Sequence, residues 1–424
     1  MLKYRTDIDG LRAVAVGGVV LFHAFPTLLT GGFIGVDVFF VLSGFLITAI
    51  IRSDAEAGTF SIGGFYERRF RRILPALLAM VVVTSLAAIA ILPPSELRNY
   101  GNSLGGVGLF VSNIVFWKDS GYFDTASADK PLLHTWSLAV EEQFYIVWPI
   151  VAAALVRMGR RRLLAGFVWV TVALSLLAAI IAVRYAPSQA FYLLPYRAWE
   201  LGMGALLATG AVPSLRTRWS REGSGWVGLA LIVVPMLVYS EATPFPGLAA
   251  LPPCLGALLI LHAGQGAETR VGRMLSWRPM LFVGLVSYSF YLWHWPLLVL
   301  PRIALNRPLT PVEATLAVAV ALGLAALSLR YVEKPFRGRG TIALSQRKVL
   351  VASVAACATL MLAGAGLFAT RGFQAFAALD VVAAERAVDS VNPLRKACHN
   401  DAGTDVLGPV DRCTGGTPRP DGGY

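Results

Sequence analysis

The sequence predicts an all-α polytopic membrane protein with eleven transmembrane helices. Of its 424 residues, 56% are hydrophobic and only 15% are charged, which is more apolar surface than a soluble core of this size can bury. Apolar stretches of roughly 17 to 25 residues, the length of a helix that crosses about 30 Å of hydrocarbon, recur along the chain. We interpret the first stretch, which carries Arg12 and His23, as a permanent helix and not as a cleaved signal peptide.

The apolar stretches place eleven spans along the chain, and one further stretch stays open. Residues 101–117 have the length to cross the membrane, but Gly, Asn and Ser dilute their apolar character. The expected spans are residues 11–27, 33–52, 73–92, 138–156, 163–183, 195–209, 225–239, 247–262, 279–300, 311–330 and 349–369.

The distribution of basic residues decides whether 101–117 crosses. If it does not, the basic clusters at 68–72, 157–162 and 330–348 all lie in cytoplasmic segments, where membrane proteins concentrate positive charge. If it does, the cluster at 157–162 faces outward against this tendency. We therefore predict a cytoplasmic N-terminus, a long outer segment at 93–136, and an eleventh helix that places the C-terminal tail in the periplasm.

Three regions follow from this topology. They are a transmembrane domain of ten helices at residues 1–340, a cytoplasmic linker with the eleventh helix at 341–370, and an extracytoplasmic tail at 371–424. Cys398 and Cys413 bracket a polar, Gly/Pro-rich stretch of the tail and could form a disulfide in an oxidising compartment. The net charge of +12 follows the membrane topology without an aromatic-interleaved basic face, so no nucleic-acid partner is expected.

Ionisable side chains at bilayer depth are costly, so each is a candidate for function. Arg12 and His23 are eleven positions apart on the first helix, about three turns, so they share a face roughly 16 Å apart, with Arg12 nearer the cytoplasm. The other charges form two layers. The outer layer beside His23 contains Asp37, Glu141, Glu142 and Glu200, and the inner layer near Arg12 contains Arg68, Arg69, Arg71 and Arg72.

This polarity favours a reaction between an anionic ligand inside and a hydroxyl group outside. Arginine binds phosphate groups through two parallel hydrogen bonds, and acyl transfer to an alcohol needs a general base that is neutral near pH 7. His23 fits the second need. A carboxylate on its other ring nitrogen would fix the tautomer, and either Asp37 or Glu142 is at a suitable depth.

The same residues also have structural interpretations. His23 can act as an interhelical hydrogen-bond partner, the arginine cluster as an anchor at a helix start, and the outer carboxylates as ion-pair partners of Arg197. His294 lies among interfacial aromatic residues, and Glu333 stands between basic residues at the inner surface. No catalytic role is assigned to the remaining histidines, His134, His262 and His399.

Well-known soluble-enzyme motifs are missing from the sequence. It contains no P-loop, no G-x-S-x-G elbow, no H-E-x-x-H and no Cys/His spacing typical of a metal site. ATP-driven transport and soluble-type esterase chemistry are therefore disfavoured, and no metal is expected.

Several segments together resemble the acyltransferase-3 family of membrane O-acyltransferases. Over residues 4–337 they occur in the order YRTDIDGLRAVAVGGVVLFH, GGFIGVDVFFVLSGFLIT, FYERRFRRILPAL, PLLHTWSLAVEEQFYIVWP, RAWELGMGALLA, SYSFYLWHWPL and RYVEKPFR. The resemblance implies ten core helices, acetyl-CoA as a donor from the cytoplasm and an acceptor sugar outside. It places Arg12 and His23 on the family's signature of Arg, ten residues and His, and RRFRR on its inner basic motif.

Charge layers and resemblance together predict three sets of site residues. The catalytic set is His23, Arg12, Asp37 and Glu142. The set that binds the acyl donor is Arg12, Arg68, Arg69, Arg71, Arg72 and Glu333. The set that binds the acceptor is Glu141, Glu142, Arg197, Glu200 and His294. Three of these residues, Asp37, Glu142 and Glu333, also fall on family motif positions.

The eleventh helix and the tail resemble the members of this family in which an extracytoplasmic SGNH hydrolase-like domain follows. This sequence ends at Tyr424, before any GDSH-type serine block, so it contains no nucleophile of such a domain. We expect that it is a truncated form.

The predicted function is transfer of an acyl group, expected to be acetyl, from cytoplasmic acyl-CoA to a hydroxyl of an extracytoplasmic glycan. The acceptor would be lipopolysaccharide O-antigen, exopolysaccharide or peptidoglycan, and the enzyme would reside in a bacterial inner membrane in contact with its lipids. An alternative is a proton-coupled exporter in which Arg12, His23, Asp37 and Glu142 form a relay, although the sequence shows no internal repeat. A third possibility is a membrane anchor for a missing catalytic domain.

Overall fold

The computed structural model describes residues 4–120, 129–337, 344–378 and 380–383, and the regular structure in these ranges is helical. Each of the eleven predicted spans coincides with a helix, so the all-α prediction is confirmed. The helices are α1 Thr6–Ala24, α2 Gly35–Glu56, α3 Ile62–Ile91, α4 Pro94–Gly108, α5 Ser112–Lys118, α6 Thr135–Arg157, α7 Arg161–Tyr185, α8 Pro187–Tyr192, α9 Ala198–Thr209, α10 Arg218–Val238, α11 Leu251–Ala263, α12 Arg270–Leu275, α13 Arg278–Leu305, α14 Pro311–Leu327 and α15 Gln346–Ala369.

Eight helices within the described ranges are long and apolar enough to cross a membrane, which is the pattern of a polytopic membrane protein. The other three predicted spans correspond to α1, α9 and α11. Helix α1 carries Asp7, Asp9 and Arg12, and α9 and α11 have only 12 and 13 residues. Eleven crossings therefore stay a prediction.

The stretch 101–117 is a helical hairpin, as expected of a segment that does not cross. Helices α4 and α5 meet at a turn, so that a Cβ built on Gly106 would lie 2.8 Å from the Val115 side chain. Helix α4 packs along α15, where Gly108 approaches the carbonyl of Cys357 in the middle of that helix. Leu92 and Lys130 border one small cavity, so the segment returns to the end of the bundle where it began.

Close backbone contacts hold the two helices that carry the predicted histidines together. A Cβ added to Gly284 of α13 would lie 1.9 Å from the Asp9 carbonyl oxygen of α1. On the same helix, a Cβ on Gly10 would lie 1.9 Å from the carbonyl oxygen of Leu275 at the end of α12, which immediately precedes α13. Small residues at such crossings permit tight packing of membrane helices. Helices α1 and α13 are thereby fixed side by side.

The helices that carry charged residues lie at the centre of the bundle. In the most apolar windows of α2 and α13, 72% of residues are buried, against 22% for α14 and α15. A second close crossing joins α2 to α9, because a Cβ on Gly204 would lie 1.9 Å from the Val41 carbonyl oxygen. The central helices thus surround polar groups, and the peripheral ones present apolar side chains to lipid.

Candidate active site

Two cavities meet inside the bundle. The first, which we call the arginine chamber, has a volume of about 920 Å³ and is lined by Arg12, Ser43, Arg69, Arg72, Glu141 and Tyr145 among others. The second, the histidine chamber, has a volume of about 650 Å³ and is lined by His23, His134, Trp136, Phe191, Arg197 and Trp295 among others. Val36 and Tyr291 line both. Arg12 and His23 therefore line two different, adjoining spaces.

The arginine chamber combines three cationic side chains from two helices. Arg12 projects from α1 and forms an ion pair with Asp9, with 3.6 Å between Nη1 and Oδ1. Arg69 projects from α3, with its guanidinium 4.2 Å from the centre of the Tyr145 ring. Arg72 lies one turn further along α3 and has no carboxylate partner among the residues that the structure describes. These donors are positioned to hold an anion.

Two of the four arginines predicted to bind the donor do not line this chamber. Arg68 is exposed and pairs with Asp54 at 2.7 Å. Arg71 is buried, pairs with Glu67 at 3.0 Å and donates to the carbonyl of Leu344. For Arg71 the reason is the helix period of 3.6 residues, which turns position 71 away from the face that carries positions 69 and 72. Arg68 shares the face of Arg72 but lies one turn nearer the start of α3, where it is exposed.

Glu333, also predicted to bind the donor, is occupied by protein partners. It lies in a π-helical segment, Ser328–Glu333, that continues α14. Its side chain is buried, accepts from the Ser289 hydroxyl at 2.6 Å and forms an ion pair with Arg337. The structure therefore favours the ion-pair interpretation of Glu333 over a contact with a ligand.

The adjacent carboxylates Glu141 and Glu142 differ in role, and neither lines the histidine chamber. Glu141 lines the arginine chamber beside Tyr145, whose hydroxyl is hydrogen-bonded to Ser43. Glu142 is buried and pairs with Arg69 at 3.4 Å. Consecutive helix positions point about 100° apart, which separates the two. Both had been expected to contact the acceptor, and Glu142 also to support His23, so these expectations are corrected.

Asp37, Arg197 and Glu200 form a buried ionic triad. Nη1 of Arg197 donates to Oδ1 of Asp37 and to Oε1 of Glu200, both at 2.7 Å, and its Nε donates to the Phe191 carbonyl. All three side chains are at most 1% exposed. Arg197 also lines the histidine chamber, as predicted for an acceptor-binding residue, whereas the two carboxylates serve to hold it.

His23 is held by a second histidine and not by a carboxylate. Its Nδ1 lies 3.1 Å from Nε2 of His294, and Nδ1 of His294 lies 2.6 Å from the Tyr291 carbonyl oxygen. A carbonyl only accepts, so in the neutral rings Nδ1 of His294 carries a proton and its Nε2 accepts the Nδ1–H of His23. Nε2 of His23 is left unprotonated, in a side chain that lines the histidine chamber.

The structure therefore gives His23 a different partner from the two carboxylates that were predicted. Asp37 is bonded to Arg197 and Glu142 to Arg69, so neither fixes the imidazole. His294 contacts it instead, with the two ring planes 12° apart and their centres 5.3 Å apart, and the ring centre of Trp295 lies 4.6 Å from that of His23. His294 had been predicted to bind the acceptor, and the structure places it behind His23.

His134 is a residue of the histidine chamber that sequence reasoning did not select. It immediately precedes α6, and its ring centre is 5.9 Å from that of His294. The sequence analysis assigned His134 no role because it lies at a helix end. It stands two residues before Trp136 within a segment that resembles a family motif, and this location was the sequence signal for a role in the site.

The cysteines contribute little to the described site. Cys398 and Cys413, predicted to form a disulfide, lie outside the described residues. Cys254 is buried beside Asp37 and Glu200, and the three offer ligand atoms within 4.8 Å of one another. Arg197 already neutralises these carboxylates, which argues against a metal there.

Comparisons with known proteins support the resemblance seen in the motifs. The acyltransferase-3 family model, described as an acyltransferase domain, matches residues 5–330. The peptidoglycan O-acetyltransferase OatA of Listeria monocytogenes is 32% identical over 358 residues, which are 80% of this chain and 57% of that protein. YrhL of Bacillus subtilis, provisionally named a peptidoglycan O-acetyltransferase, is 33% identical over 81% of this chain and 57% of its own length.

A further relative is a Staphylococcus aureus protein provisionally named an O-acetyltransferase, 29% identical over 82% of this chain and 59% of that protein. This chain thus spans a little under three fifths of the length of these relatives. No solved structure matches it.

Proposed function

We infer function from the premise that this chain belongs to the acyltransferase-3 family, whose model covers residues 5–330. We propose that it is a membrane O-acyltransferase that moves an acetyl group from acetyl-CoA in the cytoplasm to a hydroxyl of an extracytoplasmic glycan. The observation that carries this proposal is the junction of an arginine-lined chamber with a chamber containing an unprotonated histidine nitrogen.

The arginine chamber is suited to the donor. Coenzyme A carries phosphate groups at one end and a slender, mostly apolar arm at the other. Arg12 and Arg72 supply donors for the phosphates, and Glu142 fixes Arg69 beside them. Apolar side chains such as Phe39 and Leu46 line the rest of the chamber and can contact the arm. The thioester would then lie toward Val36 and Tyr291, where the two chambers meet.

The histidine chamber is suited to the acceptor. Its walls include the aromatic side chains of Trp136, Phe191, Tyr192 and Phe245. The faces of such rings carry partial negative charge and attract the polarised C–H groups of a sugar ring. Nε2 of His23 can accept the proton of a sugar hydroxyl at this site.

The reaction we propose is a direct transfer. The acceptor oxygen attacks the thioester carbonyl carbon while its proton passes to Nε2 of His23, so that the acyl–oxygen bond forms and the acyl–sulfur bond breaks. The proton then passes to the departing thiolate, which leaves as coenzyme A. His294 stabilises the transient imidazolium through its bond to Nδ1, in the position that a carboxylate occupies in a catalytic triad.

The relatives favour one of the three acceptor classes. Two of them bear the name peptidoglycan O-acetyltransferase, one of these provisionally, and the match covers most of this chain. We therefore propose peptidoglycan glycan strands as the acceptor, in preference to O-antigen or exopolysaccharide. The bacterial inner membrane is the proposed location, with the Arg12 end of α1 facing the cytoplasm, because acetyl-CoA is made there.

The exporter alternative receives no support from the contacts. Its relay required Arg12, His23, Asp37 and Glu142 to exchange protons in sequence. Asp37 is bonded to Arg197, Glu142 to Arg69 and His23 to His294, so each has a partner outside the proposed relay. The four groups therefore do not form one connected path in the described residues.

A transfer assay on the reconstituted chain tests the proposal. Purified protein in liposomes receives labelled acetyl-CoA on the side of Arg12 and solubilised peptidoglycan strands on the other. His23→Ala should lower the rate of O-acetyl formation by about 10²- to 10⁴-fold, the usual contribution of a general base. His262→Ala, which removes a buried histidine outside both chambers, serves as the control. A His23→Ala variant with the rate of the unmodified protein would exclude His23 as the base.

A further inference from the structure

His134 is a buried histidine that the proposed reaction leaves unused. Its side chain is 3% exposed, and neither ring nitrogen has a hydrogen-bond partner among the residues that the structure describes. Burying an imidazole without a partner costs free energy, so natural structures retain such groups where they bind something.

The ring is aimed at the place where the acceptor would bind. His134 and His23 line the same chamber, and each packs against His294, with ring centres 5.9 and 5.3 Å from it. The ring centre of Tyr291, at the junction of the chambers, is 5.6 Å from that of His134. A ligand that reaches His23 therefore passes within reach of His134.

The chemistry of a neutral imidazole determines which kind of hydrogen bond His134 can make. Pro296 in α13 has no N–H, so the carbonyl of Leu292, four residues earlier and near the His134 ring, loses its usual helical partner. A neutral imidazole carries one N–H and one unprotonated nitrogen, so one ring nitrogen of His134 is an acceptor in either tautomer.

We propose that His134 binds the acceptor glycan by accepting a hydrogen bond from a sugar hydroxyl that is not itself acylated. The inference rests on the proposed function and adds a second point of attachment to it. His23 takes the proton of the reacting hydroxyl, and His134 holds a neighbouring hydroxyl of the same sugar unit. These two contacts determine which sugar oxygen faces the thioester. Such orientation of the reacting groups increases the rate of an enzymatic reaction.

The chemistry selects polyhydroxylated rings. An acceptor with a single hydroxyl can satisfy His23 but leaves His134 unpaired, and this penalty disfavours it. Aromatic walls and Arg197, whose guanidinium lines the same chamber, complete a site for a carbohydrate. Simple alcohols should therefore be poor acceptors.

The test compares three substitutions at this position in the full 424-residue chain. His134→Ala removes the acceptor nitrogen, His134→Phe keeps the ring volume, and His134→Gln keeps a hydrogen-bond acceptor. KM for solubilised peptidoglycan strands should rise about tenfold in His134→Ala and His134→Phe, the effect of one lost hydrogen bond. His134→Gln should recover part of this loss. KM for acetyl-CoA should not change in any of them.

Other outcomes would overturn the proposal. An unchanged KM for the glycan would mean that His134 binds only water, and a His134→Phe variant equal to the unmodified chain would mean that the ring serves only to pack. His262→Ala is the matched control. Melting temperatures identify variants that fail to fold. If His134→Ala or His134→Phe fails to fold, the KM of His134→Gln for the glycan decides. His23→Ala is measured in parallel. If it retains transfer, the proposed function fails, and this result is separate from any effect at His134.

Discussion

The guanidinium of Arg72 lies in the arginine chamber, and that of Arg68, one turn earlier on α3, lies at the surface beside Asp54. The two residues have the same chemistry and sit in the same basic cluster. Being four positions apart they share one face of the helix, and one turn along its axis separates the exposed guanidinium from the one in the chamber. A donor site therefore depends on particular arginines and not on the positive charge of the cluster.

This difference gives a matched pair of variants. Arg72→Gln should raise the dissociation constant of acetyl-CoA by roughly 10- to 100-fold, the range for loss of a charge-assisted hydrogen bond. Arg68→Gln should leave it unchanged. Titration calorimetry on detergent-solubilised protein measures both. Equal effects of the two substitutions would show that the cluster acts only through its overall charge.

Arg197 supports a second prediction at the scale of single residues. Its removal leaves Asp37 and Glu200 buried without their cation, which typically costs about 3–5 kcal/mol. Arg197→Gln should therefore lower the melting temperature clearly, and neutralising both carboxylates as well, in Asp37→Asn/Arg197→Gln/Glu200→Gln, should restore part of the loss. The exposed pair of Arg307 and Glu313 provides the control, because Arg307→Gln should have little effect. An unchanged melting temperature in Arg197→Gln would contradict the structural role of the triad.

At the scale of helices, the crossing of α1 and α13 determines whether the contact between His23 and His294 can form. His23 is on α1 and His294 is on α13, and their contact requires the close approach that Gly284 permits. Proline also acts at this scale, because Pro296 frees a carbonyl of α13 beside His134. The backbone of α13 thus supports both histidines of the chamber.

Substitution of Gly284 tests this dependence. Gly284→Ala places a methyl group 1.9 Å from the Asp9 carbonyl oxygen, so α1 and α13 must separate at a cost of about 1–3 kcal/mol or more. We expect a lower melting temperature together with a loss of acetyl transfer. Gly323→Ala in α14 meets no atom within 4 Å and should behave as the unmodified chain. A stable and fully active Gly284→Ala protein would show that the contact between His23 and His294 does not need this crossing.

At the scale of the whole molecule, the hairpin of α4 and α5 determines the orientation of everything that follows it. The segment returns to the end of the bundle from which it enters, and this agrees with the orientation predicted from basic residues for helices α6 to α15. Under that prediction the arginine chamber is the one nearer the cytoplasm, as the proposed transfer between compartments requires.

Cysteine labelling of intact cells tests this orientation. In a chain whose four native cysteines are replaced by alanine, Met158→Cys after α6 should be protected from a membrane-impermeant maleimide. Ala242→Cys, between α10 and α11, should react, because it lies at the opposite end of the bundle. Both side chains occupy exposed positions. The reverse labelling pattern would mean that 101–117 crosses after all.

The sequence by itself determined the membrane class, the positions of the helices and the family. These features depend on local quantities, since apolar length sets a span and basic residues set its direction. It also selected His23 and Arg12, because eleven positions on one helix fix their relative placement. Each of these inferences needed information from only one helix at a time.

The tertiary structure decided which side chains meet. His23 and His294 are 271 residues apart, and no local pattern states how α1 and α13 are rotated against each other. The packing of the bundle likewise decided which faces of α3 and α6 line the arginine chamber and brought His134 into the histidine chamber. The helix period fixes angles within a helix, whereas contacts between helices depend on the packing of the whole bundle, and these contacts define the active site.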